Sequence, residues 1–153
     1  MQEYHANISW QRGEQVFSDN QYSRAHLWQF DGGLSVAASS SPQTVLPPLS
    51  VNENIDPEEA LVAALSSCHM LFFLAFARKQ GYVVDHYRDA AVGILDKNEL
   101  GKTAITRVTL RPHAGFSGAA QPNAGQLQAL HHLAHDHCYI ANSLRAEVVI
   151  EPT

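Results

Sequence analysis

Only two cysteines, Cys68 and Cys138, occur in the 153-residue chain. Two thiols cannot build the dense disulfide framework that holds small secreted domains together. Basic runs are missing as well: ten Lys and Arg are scattered against fifteen Asp and Glu, giving a formal net charge of -5. Phosphate binding asks for a basic face, so nucleic acid is excluded as the main partner. The opening residues, Met-Gln-Glu-Tyr-His, have no basic region followed by an apolar one, so no secretory signal is expected. These absences predict a cytoplasmic protein in a reducing compartment, where a cysteine pair is either inert and buried or redox-active.

No apolar stretch of membrane-spanning length is free of polar interruption. The longest, Leu61 to Ala77, carries Ser66, Ser67, Cys68 and His69 at its centre, with Asp56 and Glu58 before it and Arg78 and Lys79 after it. Those flanks suit the dipole of a soluble helix, so the reading is a buried core helix and no membrane span. What remains is an ordinary globular balance, 45% hydrophobic and 16% charged. With no repeat and no linker, one domain over residues 1–153 is expected.

The order of elements predicts an α+β fold. Tyr4 to Trp10, Arg24 to Phe30 and Leu34 to Ala38 read as strands, with a turn at Asp31-Gly32-Gly33. Ser39 to Asn54 collects Ser, Pro and Asn without periodicity and reads as a long loop. Asp56 is a good N-cap, Pro57 suits the first helical position, and Glu59 completes a capping-box pattern. The helix that follows is apolar on every side, which predicts burial nearly all round by the surrounding strands, with a second subunit helping. Gly81 can close it. Tyr82 to Leu95 and Lys102 to Phe116 read as two long strands joined by a turn at Asp96 to Gly101. In the second, Ile105, Arg107, Thr109 and Arg111 alternate with Thr106, Val108 and Leu110, so one face is drier. Pro122 opens a second helix ending near Cys138, and Arg145 to Ile150 is a last strand.

Chemistry concentrates at the two sulfurs. Cys68 lies in a polar notch, Ser66-Ser67-Cys68-His69, within an otherwise apolar helix. It is either a structural cysteine with serines bonded to the preceding turn, or a site facing a cavity. His131, His135 and Cys138 stand at i, i+4 and i+7, a spacing that admits a transition-metal site completed by Cys68 or His69. The alternative is a set of helix histidines with one or two packed inside. The thiols can also act together, one thiolate attacking a peroxide and the second thiol trapping the sulfenic acid. A fixed cation that lowers a cysteine pKa by roughly two units supplies about 2.7 kcal/mol, and arginine does this best. Arg12, Arg24, Arg78, Arg88, Arg107, Arg111 and Arg145 are all available, and spacing does not choose among them.

Three segments together resemble one family. Asp-Pro-Glu-Glu at 56–59, Ser-Ser-Cys-His-Met at 66–70 and Ala-His-Asp-His-Cys-Tyr-Ile-Ala-Asn-Ser at 134–143 are similar to the osmotically inducible protein C and organic hydroperoxide resistance (OsmC/Ohr) proteins. The likeness follows the order of elements along almost the whole chain. It implies strands wrapped around a long buried central helix in an intertwined homodimer, and a thiol peroxidase for alkyl or lipid hydroperoxides that uses no metal or other cofactor. It further implies that Cys68 is the peroxidatic cysteine and Cys138 the resolving one. Glu58 matches the carboxylate that holds the site arginine, for which Arg24 is the best match and Arg12 the fallback. A dithiol is the implied reductant, of the lipoyl type that recycles many members of the family. A zinc-binding or non-catalytic stress-response protein is the alternative.

Two positions depart from the family pattern. Tyr139 stands where better-known branches have proline, and His69-Met70 follows the first cysteine where an aromatic or serine is usual. An apolar pocket of Met70, Phe72, Phe73 and Tyr139 is expected. On one unbroken helix, ten residues separate Glu58 from Cys68 by about 15 Å. The Glu58 and Arg24 beside each Cys68 are therefore expected from the twofold-related partner, which makes the active form an obligate dimer.

Overall fold

The computed structural model describes residues 1–153. The chain divides into two compact units, Met1–Ala60 and Leu61–Thr153.

The first unit holds an antiparallel sheet of β1 (Ala6–Ser9), β2 (His26–Phe30) and β3 (Ser35–Ala38) in sequence order. The turn between β2 and β3 closes where Gly33 donates to the Phe30 carbonyl at 3.0 Å. Gly33 has φ +86°, a conformation glycine adopts without steric cost. β1 and β2 are shorter than the alternation predicts because side chains and loops take over at their ends. The Trp10 indole donates to the Ser23 carbonyl at 2.8 Å. The Arg24 amide donates to Leu49 at 2.7 Å rather than to the ladder. The expected loop after Ala38 is tied down, with Ser39 N–H on the Ile55 carbonyl at 3.0 Å and Val51 N–H on the Ser39 hydroxyl at 3.0 Å.

Helix α1 (Pro57–Lys79) starts in this unit. Its capping box is reciprocal: Glu59 N–H donates to Asp56 Oδ1 at 2.7 Å and Asp56 N–H to Glu59 Oε2 at 3.4 Å. Gly81, at φ +84°, follows its C-terminus as expected.

The second unit contains the rest of α1, β4 (Val83–Asp89), β5 (Val92–Lys97), β6 (Thr103–Leu110), β7 (Pro112–Ser117), α2 (Ala124–His137) and β8 (Glu147–Ile150). β4 pairs with β7, and β5, β6 and β8 form a second sheet with β8 parallel to β6. The two long strands expected at 82–95 and 102–116 are thus each broken once. Register carries across the break, with Asp89 opposite Pro112 and Val92 opposite Thr109. The bend has a side-chain cause. At the end of β4 the Asp89 carboxylate accepts from Arg111 N–H at 2.6 Å and from the Ser66 hydroxyl of α1 at 2.5 Å. The expected drier face of β6 is present: Val108 and Leu110 are sealed, while Arg107 and Arg111 reach outward to Glu147 and Glu151.

Two apolar clusters hold the unit together. Leu65, Val108, Leu110 and Cys138 form one, with Val62, Phe72, Ile105 and Ile150 packed against it. Phe73, Ala77, Leu130 and Ala134 form the other, with Tyr87, Phe116 and Leu127. Gly93 permits the approach of α1 to β5, since a Cβ there would stand 2.6 Å from Val62 Cγ2. Burying a side chain such as Phe73 contributes about 2–3 kcal/mol.

Within the single chain α1 is not buried all round. Only the stripe Leu65, His69, Phe73 and Ala77 is sealed, while Ala63, Ala64, Ser67, Leu71 and Ala75 are exposed. The sheets of this unit and α2 pack on the sealed side of the helix, and its other apolar side is exposed. By length and composition α1 matches a membrane span, yet its sealed stripe is built into the folded unit.

Candidate active site

Cys68 is placed by the fourth turn of α1, beyond the sealed stripe, and is half-buried. It packs against the cluster that contains Cys138, so two residues seventy positions apart in the chain meet in one core. Cys138 reaches that core because it is the C-cap of α2, with extended backbone (φ -65°, ψ 112°) that turns it off the helical face. It is fully buried and accepts from Ala141 N–H at 3.4 Å. Both cysteines are free thiols. Burial pushes the Cys138 thiol up to about 11, and the neighbouring Cys68 pushes the same way.

The Cys68 side of α1 opens on a cleft of about 420 Å³. Ala64, Ser67, Leu71, Phe72, Tyr139 and Ile140 line it around Cys68. Tyr139 is exposed and packs edge-on to Phe72 with ring centroids 5.0 Å apart. Of the expected pocket residues, Phe72 and Tyr139 are there. Met70 and Phe73 are not, because Phe73 points into the other cluster, where its ring stacks on His131 at 4.4 Å. Leu71 and Ile140 were not legible as lining, since apolar residues in an apolar helix carry no mark of which face opens.

The remaining expected site residues lie in the first unit. Arg24 is half-buried. Its guanidinium lies 3.8 Å over the Tyr22 ring and donates to Asn20 Oδ1 at 2.6 Å and to the Tyr22 carbonyl. Arg12 donates to the Gln15 carbonyl at 2.7 Å. Glu58 sits in the first turn of α1, and neither it nor Arg24 forms an ion pair within the chain.

The candidate metal set is not assembled. No three His, Cys, Asp or Glu side chains converge in ligand geometry. The i, i+4, i+7 spacing fails because Cys138 is outside the regular helix, while His131 faces the second cluster. There His131 Nδ1 meets His69 Nε2 at 3.0 Å with the rings parallel to within 7°. Both imidazoles are sealed, and burial drives each down to about 4, helped at His69 by the neighbouring His131 and His135. His69 therefore turns away from the cleft beside Cys68. Asp89 is the residue that sequence reasoning missed. It fixes Ser66, two positions before Cys68, and its only sequence signal is an acid ahead of Ala90-Ala91 in a strand-like run.

A family model for OsmC-like proteins matches residues 50–153. The chain belongs to the OsmC-like family. The OsmC-like protein of unknown function from Vibrio cholerae O1 biovar eltor strain N16961 has 57% identity to it over all of both chains, with a TM-score of 0.99. The organic hydroperoxide resistance protein of Elizabethkingia anophelis shares the fold at 16% identity and TM-score 0.72, covering 100% of this chain and 95% of its own. OhrB of Bacillus subtilis does so at 18% identity and TM-score 0.69, covering 99% and 98%. No curated protein matches the chain in sequence. The α+β fold expected from the sequence is thus the OsmC/Ohr fold.

Proposed function

We propose that this OsmC-like protein is a thiol peroxidase that reduces organic hydroperoxides, with Cys68 as the attacking sulfur and Cys138 as the resolving one. The observation that carries the reading is the thiol pair itself: two free cysteines packed in one cluster, one sealed and one beside an apolar cleft. Burial holds the proton on Cys138, and Cys68 is the sulfur that borders the cleft. Family membership and the fold shared with two organic hydroperoxide resistance proteins support the same chemistry.

The cycle balances as follows. The Cys68 thiolate attacks one peroxide oxygen, the O–O bond breaks, and the alkoxide takes a proton from solvent to leave as alcohol. Cys68 is now a sulfenic acid. The Cys138 sulfur displaces its hydroxyl, which leaves as water with the Cys138 proton, and the disulfide forms. An external dithiol returns both thiols. The walls of the cleft, Ala64, Leu71, Phe72 and Ile140, favour an alkyl or lipid hydroperoxide over hydrogen peroxide.

The active form in this reading is a homodimer. The uncovered apolar side of α1 supplies the contact surface, and Glu58 and Arg24 of one subunit complete the Cys68 site of the other. The protein acts in the cytoplasm in oxidative stress defence. Turnover of cumene hydroperoxide with a dithiol tests the proposal: Cys68→Ser removes it, and full turnover by that variant eliminates the mechanism.

A further inference from the structure

A second cavity, also about 420 Å³, lies on the α2 side of the unit. Ala124, Leu127, Gln128 and His132 of α2 form one wall, and Ile150 and Pro152 at the end of β8 form the other. The tail is held in place, with Glu151 N–H on the Leu110 carbonyl at 2.9 Å and Thr153 N–H on the Pro112 carbonyl at 2.9 Å. His131 also lines the cavity although it is only 3% exposed. The peroxidase cycle uses none of these residues.

The His69–His131 contact determines what His131 offers. One proton lies between His69 Nε2 and His131 Nδ1. Were it on His131, His69 would carry its own proton on Nδ1, an atom that is buried with no partner. Orphaned buried N–H groups are the rarer and costlier case, so the proton belongs to His69 Nε2 and His69 Nδ1 is a bare lone pair. His131 then carries its proton on Nε2. That nitrogen has no hydrogen-bond partner in the chain and, unlike His69 Nδ1, is not sealed from solvent.

The cavity therefore combines apolar walls with a fixed N–H donor from a sealed side chain. The Gln128 amide adds donors. No carboxylate lines it: Asp136 is occupied by His132 at 3.4 Å and Glu151 by Arg111 at 3.1 Å. A volume of a few hundred Å³ suits a small ligand with one polar end. We propose that this cavity is a binding site for a small aliphatic carboxylate, whose head accepts from His131 Nε2–H and whose chain lies along Leu127 and Ile150.

Titration of the full chain with octanoate, followed by calorimetry and by the histidine ring resonances, tests this. Saturable one-to-one binding that moves the His131 ring signals is expected. 1-Octanol, of the same length without the carboxylate, binds weaker by about tenfold or more. Ala124→Trp, a change at an exposed wall position, fills the cavity and weakens octanoate by a similar factor. Octanol binding as tightly as octanoate overturns the proposal. So does an Ala124→Trp variant with unchanged affinity, or octanoate that moves Tyr139 in the Cys68 cleft and leaves His131 still.

Discussion

Cys138 is sealed in the core while its neighbour Cys68 borders an apolar cleft, so one cluster joins a thiol that keeps its proton to a thiol that substrate can reach. Burial and the charge of Cys68 both act on Cys138 in the same direction. At neutral pH a thiol with a pKa near 11 is almost wholly protonated, about a hundredfold less ionised than one at 9. Alkylation by iodoacetamide at pH 7.5 (an assay condition of about neutral pH) is therefore expected at Cys68 first, faster than at Cys138 by about tenfold or more. Peptide mapping reads the ratio, and equal labelling contradicts the assignment.

The two cysteines have separable roles in turnover. Cys68→Ser abolishes peroxide reduction. Cys138→Ser permits one turnover and then stops, leaving a sulfenic acid on Cys68 that dimedone traps. Loss of steady-state rate is expected to reach about a hundredfold or more in both variants, but only Cys68→Ser lacks the first burst of alcohol. A Cys138→Ser enzyme that cycles at the normal rate with a dithiol removes the resolving role.

A shared site predicts complementation between subunits. Arg24→Ala and Cys68→Ser homodimers are each inactive. After unfolding and refolding together, half the dimers are mixed and one of their two sites is intact, so about a quarter of normal activity returns. Sedimentation of the unmixed protein as a dimer accompanies this result. No recovery, or a fully active monomer, contradicts the shared site.

The buried His69–His131 pair gives stability a definite pH dependence. Both groups sit near 4 in the folded chain against 6.5 when unfolded, so the unfolded state binds more protons between those values. Their stabilising contribution is complete above pH 6.5 and is lost as pH falls toward 4. The loss is on the order of a few kcal/mol. Denaturant midpoints measured across that range should fall for the native sequence and flatten in the double variant His69→Met with His131→Leu. An equal slope in both assigns the acid sensitivity elsewhere.

Asp89 anchors the bend that carries Ser66. Replacing it with Ala leaves Arg111 N–H and the Ser66 hydroxyl without their acceptor, which costs about 2–4 kcal/mol. Asp89→Asn keeps an acceptor and should cost less than half of that. Urea midpoints at unchanged m-value measure both.

Much of this was legible in the sequence, for physical reasons that differ by element. The α1 start could be read because Asp56, Pro57 and Glu59 each do a local job that needs only near neighbours. The two cysteines could be read because three motifs agree over the length of the chain. The bend at Asp89 could not, since its cause is a pair of contacts with residues 22 and 23 positions away. The metal pattern on α2 misled because it assumed that Cys138 continues the helix, and a C-cap residue does not. All-round burial of α1 is not met within one chain for another reason: hydrophobicity on every side states that a face needs cover, but not whether the same chain provides it.

Mass spectrometry after one equivalent of cumene hydroperoxide tests the central claim most directly. The account predicts a loss of about two mass units, reversed by dithiol, and a crosslinked peptide joining Cys68 to Cys138. A protein that recovers unchanged in mass, with both thiols still free, contradicts it.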